Sequence, residues 1–286
     1  MIGLLVDPFG LPFMARALAQ AVLLGVLGGT VGVLVLLRRL AFVTDALTHT
    51  VFPGVVVGFI VAGSGGVLWG ALVAGLASAA LFTLVARHRR VTEDASLAIL
   101  LTGFFAVGVI LVSRRRAYTS DLTAFLFGRI LATDAGQVAA TTAVLVAVVA
   151  TLVALRKELL LRAFDPVGAA AMGYRVGRLD LAVNLLVALV VVAGVRAVGT
   201  VLVIALLVVP AAAARLVTDR LGALVVLAPA FGALGGWLGL AASFEASVGY
   251  GVRLASGATV VLVLVGIYLA ALLAGRALPA LRGWLR

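Results

Sequence analysis

The chain has 286 residues, 64% of them hydrophobic and only 12% charged, with 22 Lys and Arg against 11 Asp and Glu and no cysteine. A soluble domain holds about 45–50% apolar and about 25% charged residues, so the composition excludes one and predicts an integral membrane protein. The missing cysteines exclude disulfides, zinc–thiolate sites and thiol catalysis.

The net charge of +11 does not point to nucleic acid, because the arginines sit at the ends of apolar runs, where the positive-inside rule places them. The sequence contains no GxxxxGK[ST] element, so the chain cannot hold a nucleotide phosphate in a P-loop; if ATP drives its work, another chain binds it.

Asp7 and Pro8 precede any basic residue, and the apolar run beyond them is too long for a cleavable signal peptide, so it reads as the first span. A spanning helix needs about 20 mainly apolar residues. Candidate spans are 15–37, 42–62, 67–86, 94–113, 135–155, 180–199, 200–217, 221–242 and 257–275. The sixth and seventh form one long run divided at Gly199–Thr200, which makes nine, or eight if one of the spans is a half-helix or re-entrant segment. The predicted fold is all-α, a polytopic transmembrane helical bundle in a single domain over 1–286. Glycines recur at four-residue spacing at Gly28/Gly32, Gly54/Gly58, Gly232/Gly236 and Gly235/Gly239, which lets helices approach closely.

The polar residues divide by context. His88 lies among Arg87, Arg89 and Arg90, a basic run that repels a cation. Glu93 and Asp94 suit the N-terminus of the fourth span. Asp121 and Asp134 bracket an amphipathic piece that reads as an interfacial helix. Asp180 and Asn184 are one turn apart at the start of the sixth span, and Asn184 suits an interhelical hydrogen bond. Arg196 sits near the outer end of that span, where it can snorkel. Glu245 falls in a predicted outer loop over 243–256.

The stretch 156–179 begins and ends with basic residues, which makes it a cytoplasmic loop. Its centre, Asp165 to Gly173, reads as a short helix with Asp165 as N-cap and Pro166 at the first position. It is either an ordinary loop or a docking loop for a cytoplasmic partner. Counting spans outward from it places the N-terminus outside and Arg38–Arg39, Arg87–Arg90 and the C-terminal arginines inside, but leaves Arg114–Arg116 on the outer side against the rule.

Asp45 and His49 lead into the second apolar run. Four residues apart, they share one helix face, and a carboxylate with an imidazole can share a divalent metal. Such a pair is costly in a membrane span unless it has a function. The other reading is a local hydrogen-bonded pair near Arg38–Arg39. Pro53 and Gly54 place a kink after it.

Five blocks together resemble the membrane subunit of bacterial ABC importers for manganese, zinc and related divalent metals. They are RRLAFVTDALTHTVFPGV at 38–55, EDASLAILLTGFFAVGVIL at 93–111, DLTAFLFGRILA at 121–132, FDPVGAAAMGYRV at 164–176 and VGTVLVIALLVVPAAAARL at 198–216, with SGATVVLVLVGIYL at 256–269 also typical. The resemblance implies a multi-pass protein of the bacterial cytoplasmic membrane, bathed in lipid. It implies a second copy of the chain, a cytoplasmic ABC ATPase dimer and an extracytoplasmic metal-binding protein as partners. It implies no permanently bound cofactor, only a transported Mn, Zn or Fe ion, with Asp45 and His49 in its passage. Asp165, Pro166, Gly168, Ala169, Met172 and Gly173 fall in the coupling helix that contacts the ATPase. Arg196 departs from the family pattern, as does the absence of an acid in 251–257. The rival readings are a permease for a metal chelate such as a siderophore or cobalamin, and an ion-coupled secondary transporter. No enzyme constellation is present in the sequence.

Overall fold

The computed structural model describes residues 7–86, 92–113, 128–252 and 254–284; the predictions for His88, Asp121 and Arg114–Arg116 lie outside them. A 3₁₀ turn at Asp7–Gly10 leads into α1 (Pro12–Leu37), α2 (Ala41–Thr50), α3 (Phe52–Val85) and α4 (Glu93–Ser113). After a second 3₁₀ turn (Ile130–Ala132) come α5 (Ala135–Ala154), α6 (Arg156–Phe164), α7 (Pro166–Ala171), α8 (Val176–Val217), α9 (Leu221–Val248) and α10 (Ser256–Trp284). No strand occurs among the described residues.

Among the described residues, eight helical stretches are long and apolar enough to cross a membrane. Two of the helices reverse direction inside their own length. In α3 the helical path breaks at Ala62 and Gly63, where Gly63 has φ +60°. Gly54 then meets Gly70, and Gly58 meets Gly66, backbone to backbone, so the two halves run antiparallel. In α8 the break is Gly199, with φ +76° and ψ 172°, a conformation that strains any residue with a Cβ. Straight, its 42 residues would extend about 63 Å, twice the hydrocarbon thickness. Instead Gly194 packs on Val203, and the two arms meet α1 in opposite directions. The first arm lies beside Leu24 at Gly194, and the second beside Gly28 and Gly32 at Leu206 and Leu207. With its arms counted separately, the described residues make nine crossings, divided at Gly199 as the sequence indicates.

The centre of the bundle is α1 with α8, the two most buried spans, and α9 packs along α1. No hydrophobic force drives apolar helices together in lipid, so close packing must supply the association. All eight glycines of the four predicted pairs do so. Gly28 and Gly32 face α8, Gly54 and Gly58 face the second half of α3, Gly232 and Gly236 face α1, and Gly235 and Gly239 face α10.

Two buried side-chain amides are paired across helices. Gln20 Nε2 donates to Thr141 Oγ1 at 2.9 Å, tying α1 to α5. Asn184 Nδ2 donates to Thr83 Oγ1 at 2.9 Å, tying α8 to α3 as expected for interhelical glue. Asp134 caps α5, accepting from Gln137 N at 2.8 Å while the Gln137 side chain accepts from Asp134 N; the first half of the amphipathic piece predicted between Asp121 and Asp134 lies outside the described residues. One expectation is corrected: Glu245 is not in a loop, because α9 continues to Val248.

The packing yields a test. A Cβ on Gly58 would run into the backbone of Gly66, whereas one on Gly65 meets nothing within 4 Å. Gly58→Ala is expected to cost about 1–3 kcal/mol as an overpacked site, and Gly65→Ala less than about 0.5 kcal/mol. Thermal unfolding of the purified protein in detergent measures both, and equal effects would contradict the hairpin.

Candidate metal passage and docking loop

The helix α2 begins immediately after a tight turn. Arg38 N–H bonds Leu34 O, Leu40 N–H bonds Val35 O at 2.8 Å, and Arg39 takes φ +56°. Val43, Thr44, Ala46, Leu47, Thr48 and Thr50 are buried on one face of α2. The three threonines return their hydroxyls to their own helix, to Ala41 O, Asp45 O and Leu47 O. They satisfy themselves this way and leave α2's buried face without free polar groups.

The opposite face carries Phe42, Asp45 and His49. Phe42 is 73% exposed, and the Asp45 and His49 side chains are 44% and 29% exposed. Asp45 Oδ1 and His49 Nε2 are 3.6 Å apart, too far for a good hydrogen bond. That gap is slightly wider than the about 3.0–3.4 Å between two donors held at about 2.1 Å from one ion in right-angled to tetrahedral geometry, so a small closing of the pair would let both reach one ion. Phe105 of α4 packs edge-on against the His49 ring at 6.2 Å between centroids, and Phe105 also meets Phe52 at 6.0 Å. Phe105 therefore fixes one side of the imidazole, a contact that the sequence does not reveal.

The break expected at Pro53 falls at Val51, between α2 and α3. It is gentle, since Val51 keeps helical angles (φ −71°, ψ −26°). Proline has no N–H to give the carbonyl four residues earlier, which here is His49 O, so that oxygen loses one of its usual donors. Carboxylate, imidazole and carbonyl thus lie within one turn, about 6–12 Å from the start of α2. Among the described residues no third His, Cys, Asp or Glu joins the pair.

The loop over 156–179 has the predicted form. The Asp165 side chain accepts from Gly168 N at 2.7 Å and caps α7, whose first residue is Pro166. Gly173 closes the helix with φ +85°. Ala169 is fully buried, so it seats α7 on the bundle and does not face outward. The outward surface is apolar: Val167 is 77%, Met172 70% and Phe164 68% exposed. Val167 and Phe164 escaped the sequence reading, although apolar residues beside Met172 in a basic loop were a readable signal.

Arg196 is exposed at the far end of the bundle, beside a cavity of about 290 Å³ that Gln20, Trp69, Asp134 and Thr141 also line. The structure does not bring it to Asp45 and His49, which are remote from that cavity's lining.

Residues 10–275 match the ABC 3 transport family. The manganese transport system membrane protein MntC of Halalkalibacterium halodurans is 37% identical over 251 residues, 88% of this chain and 83% of that protein. The chelated iron transport system membrane protein YfeC of Yersinia pestis is 32% identical over 248 residues, covering 85% and 82%. Among solved structures, a chain of PsaBC from Streptococcus pneumoniae in complex with Fab superposes with a TM-score of 0.81 at 32% identity, covering 95% of each chain. With a family match over nearly its whole length and relatives above 30% identity, this multi-pass membrane chain belongs to the ABC 3 transport family.

Proposed function

We propose that this chain is the membrane permease of an ATP-driven importer of divalent transition-metal ions, with Asp45 and His49 as ligands in the metal's passage. The observation that carries the reading is the exposed face of α2, where a carboxylate and an imidazole stand 3.6 Å apart inside a span. Facing lipid, that pair would be strongly unfavourable; facing a second copy of the chain across a two-fold axis, two such pairs offer four ligands. Carboxylate and imidazole suit Mn, Zn or Fe(II), and without thiolate the site is weak enough to release its cargo. The relative named for manganese falls within that range, while the one named for chelated iron bears on the chelate reading below. The metal is the substrate, and the chain performs no covalent chemistry.

Family membership removes the ion-coupled secondary transporter. A permease for a bulky chelate remains the second reading; it needs a wide cavity and has no use for paired ligands. ATP hydrolysis belongs to a separate ATPase, docked on the apolar surface of α7, and an extracytoplasmic binding protein delivers the ion. The basic loop then faces the cytoplasm.

Asp45→Ala and His49→Ala are each expected to lower metal uptake at least about 10–100-fold, the scale seen when a metal site loses supporting groups, while the complex still assembles. Uptake of radiolabelled Mn or Zn into proteoliposomes measures this, and wild-type uptake by both variants would leave the pair purely structural. Ligation requires neutral imidazole and ionised carboxylate, so protons compete with the cation. Metal uptake at limiting metal should fall as pH is lowered and recover with added metal, and His49→Ala should flatten that dependence.

The docking surface has its own test. Val167→Asp puts a charge in the middle of the exposed apolar patch without touching buried Ala169. Co-purification of the ATPase should drop at least about tenfold while membrane insertion is unchanged, as expected for losing an anchor at the centre of an interface. Undiminished co-purification would place the ATPase elsewhere.

A further inference from the structure

One carboxylate joins three helices beneath the proposed passage. Asp180, near the start of α8, accepts from Arg162 Nε at 3.0 Å and Arg162 Nη2 at 3.3 Å. Its Oδ1 also accepts from Arg38 Nη2. Arg162 lies in the last turn of α6, and Arg38 caps the end of α1. The side chains are largely withdrawn from solvent: Arg38 is 9%, Arg162 22% and Asp180 25% exposed. Below them, Leu34 of α1, Leu159 of α6 and Leu179 and Val183 of α8 form a separate apolar cluster, with Leu40 packed against it.

The position of this knot matters more than its strength. On one side, α6 leads directly through Asp165 into α7. On the other, Arg38 opens the hydrogen-bonded turn that ends at Leu40, the residue before α2. That turn has three residues between helices and a non-glycine at positive φ, so it has little slack to absorb a displacement. The route from the exposed apolar surface of α7 to Asp45 therefore runs through α6, Asp180, Arg38 and one tight turn. Two cations share one anion, which makes both links depend on the same side chain.

We propose that Asp180 is a positioning residue that locks the docking helix to the α1–α2 turn, so that movement of α7 is carried to Asp45 and His49. It touches no metal and acts through Arg38 and Arg162. The proposal rests on the docking role assigned to α7 and on the metal role assigned to α2. If it is correct, breaking the lock separates ATP hydrolysis from transport while leaving each partly intact.

Arg162→Gln is the gentler probe, because it cuts only the α6 link and keeps Arg38 on Asp180. In the intact complex it should hydrolyse ATP near the wild-type rate while metal uptake per ATP falls about tenfold, the scale of losing charge-assisted hydrogen bonds. Asp180→Asn should do at least as much, and Asp180→Glu, which keeps the charge, should lie between it and wild type. A merely structural role would lower the yield of complex and leave uptake per ATP unchanged.

A second readout depends on no cargo. The chain has no native cysteine, so spin labels at Phe42→Cys on α2 and Arg175→Cys just past α7, both exposed and neither in the proposed docking patch, report the separation of α2 from the docking loop without background. In the wild type the label distance should stay constant between nucleotide-free and ATP-trapped complexes. In Arg162→Gln it should broaden or shift. An unchanged distance together with unchanged uptake per ATP in both Arg162→Gln and Asp180→Asn would overturn the lock. If Asp45→Ala and His49→Ala transport normally while the distance still responds to Arg162→Gln, the metal assignment fails and the lock stands.

Discussion

Close backbone contact along α1 is the constraint on which the bundle rests. Lipid offers no hydrophobic gain for pressing two apolar helices together, so the helices must fit closely enough for dispersion contacts to hold them. Four glycines within two turns accomplish this. Gly25 and Gly29 meet α9 at Gly232 and Ala228, while Gly28 and Gly32 meet the second arm of α8 at Leu206 and Leu207. One helix is thereby wrapped on two sides by backbones that approach to contact. The α8 hairpin is what allows a single helix to lie beside α1 in both directions, and Gly199 is what allows the hairpin.

Once that core is set, the polar side chains in the spans fall into distinct kinds. Gln20 and Asn184 reach across to threonines on neighbouring helices and are buried there. Thr44, Thr48 and Thr50 bond back to their own helix. Asp45 and His49 do neither: they stay partly exposed, side by side, on a face that their own chain leaves open. A charged group in a membrane span without such satisfaction calls for a counterpart outside the chain, which in the proposed reading is the metal and a second copy.

Much of this was readable in the sequence, because the physics of membrane spans is largely local. Apolar length fixed the crossings, glycine spacing marked the packing faces, and the Asp165–Pro166 pair marked the start of α7 through capping chemistry. The sequence did not reveal contacts between distant residues. Nothing local says that Phe105 will stand against His49, or that Asp180 will gather Arg38 and Arg162 across 142 and 18 residues. Ala169 shows the same limit from the other side: inside a short motif it reads as surface, and only the packing of α7 onto the bundle shows it buried. The capping role of Asp134 was likewise not legible, because only its reciprocal bonds with Gln137 reveal it.

The arrangement also explains why a weak ligand set would serve a transporter. A chain that held the ion with three or four ligands of its own would keep it whatever the rest of the assembly did. If Asp45 and His49 are ligands as proposed, each copy supplies two, and the shell is complete only when two copies hold their α2 helices at the right separation, so affinity becomes a property of how the copies are placed. The pair stands within the first three turns of α2, close to the turn that Arg38 anchors. A shift of an ångström or so at that end exceeds the tolerance of about 0.2 Å for metal–ligand distances. In the proposed reading, small movements at the docking end would then suffice to switch such a shared site between holding and releasing its ion.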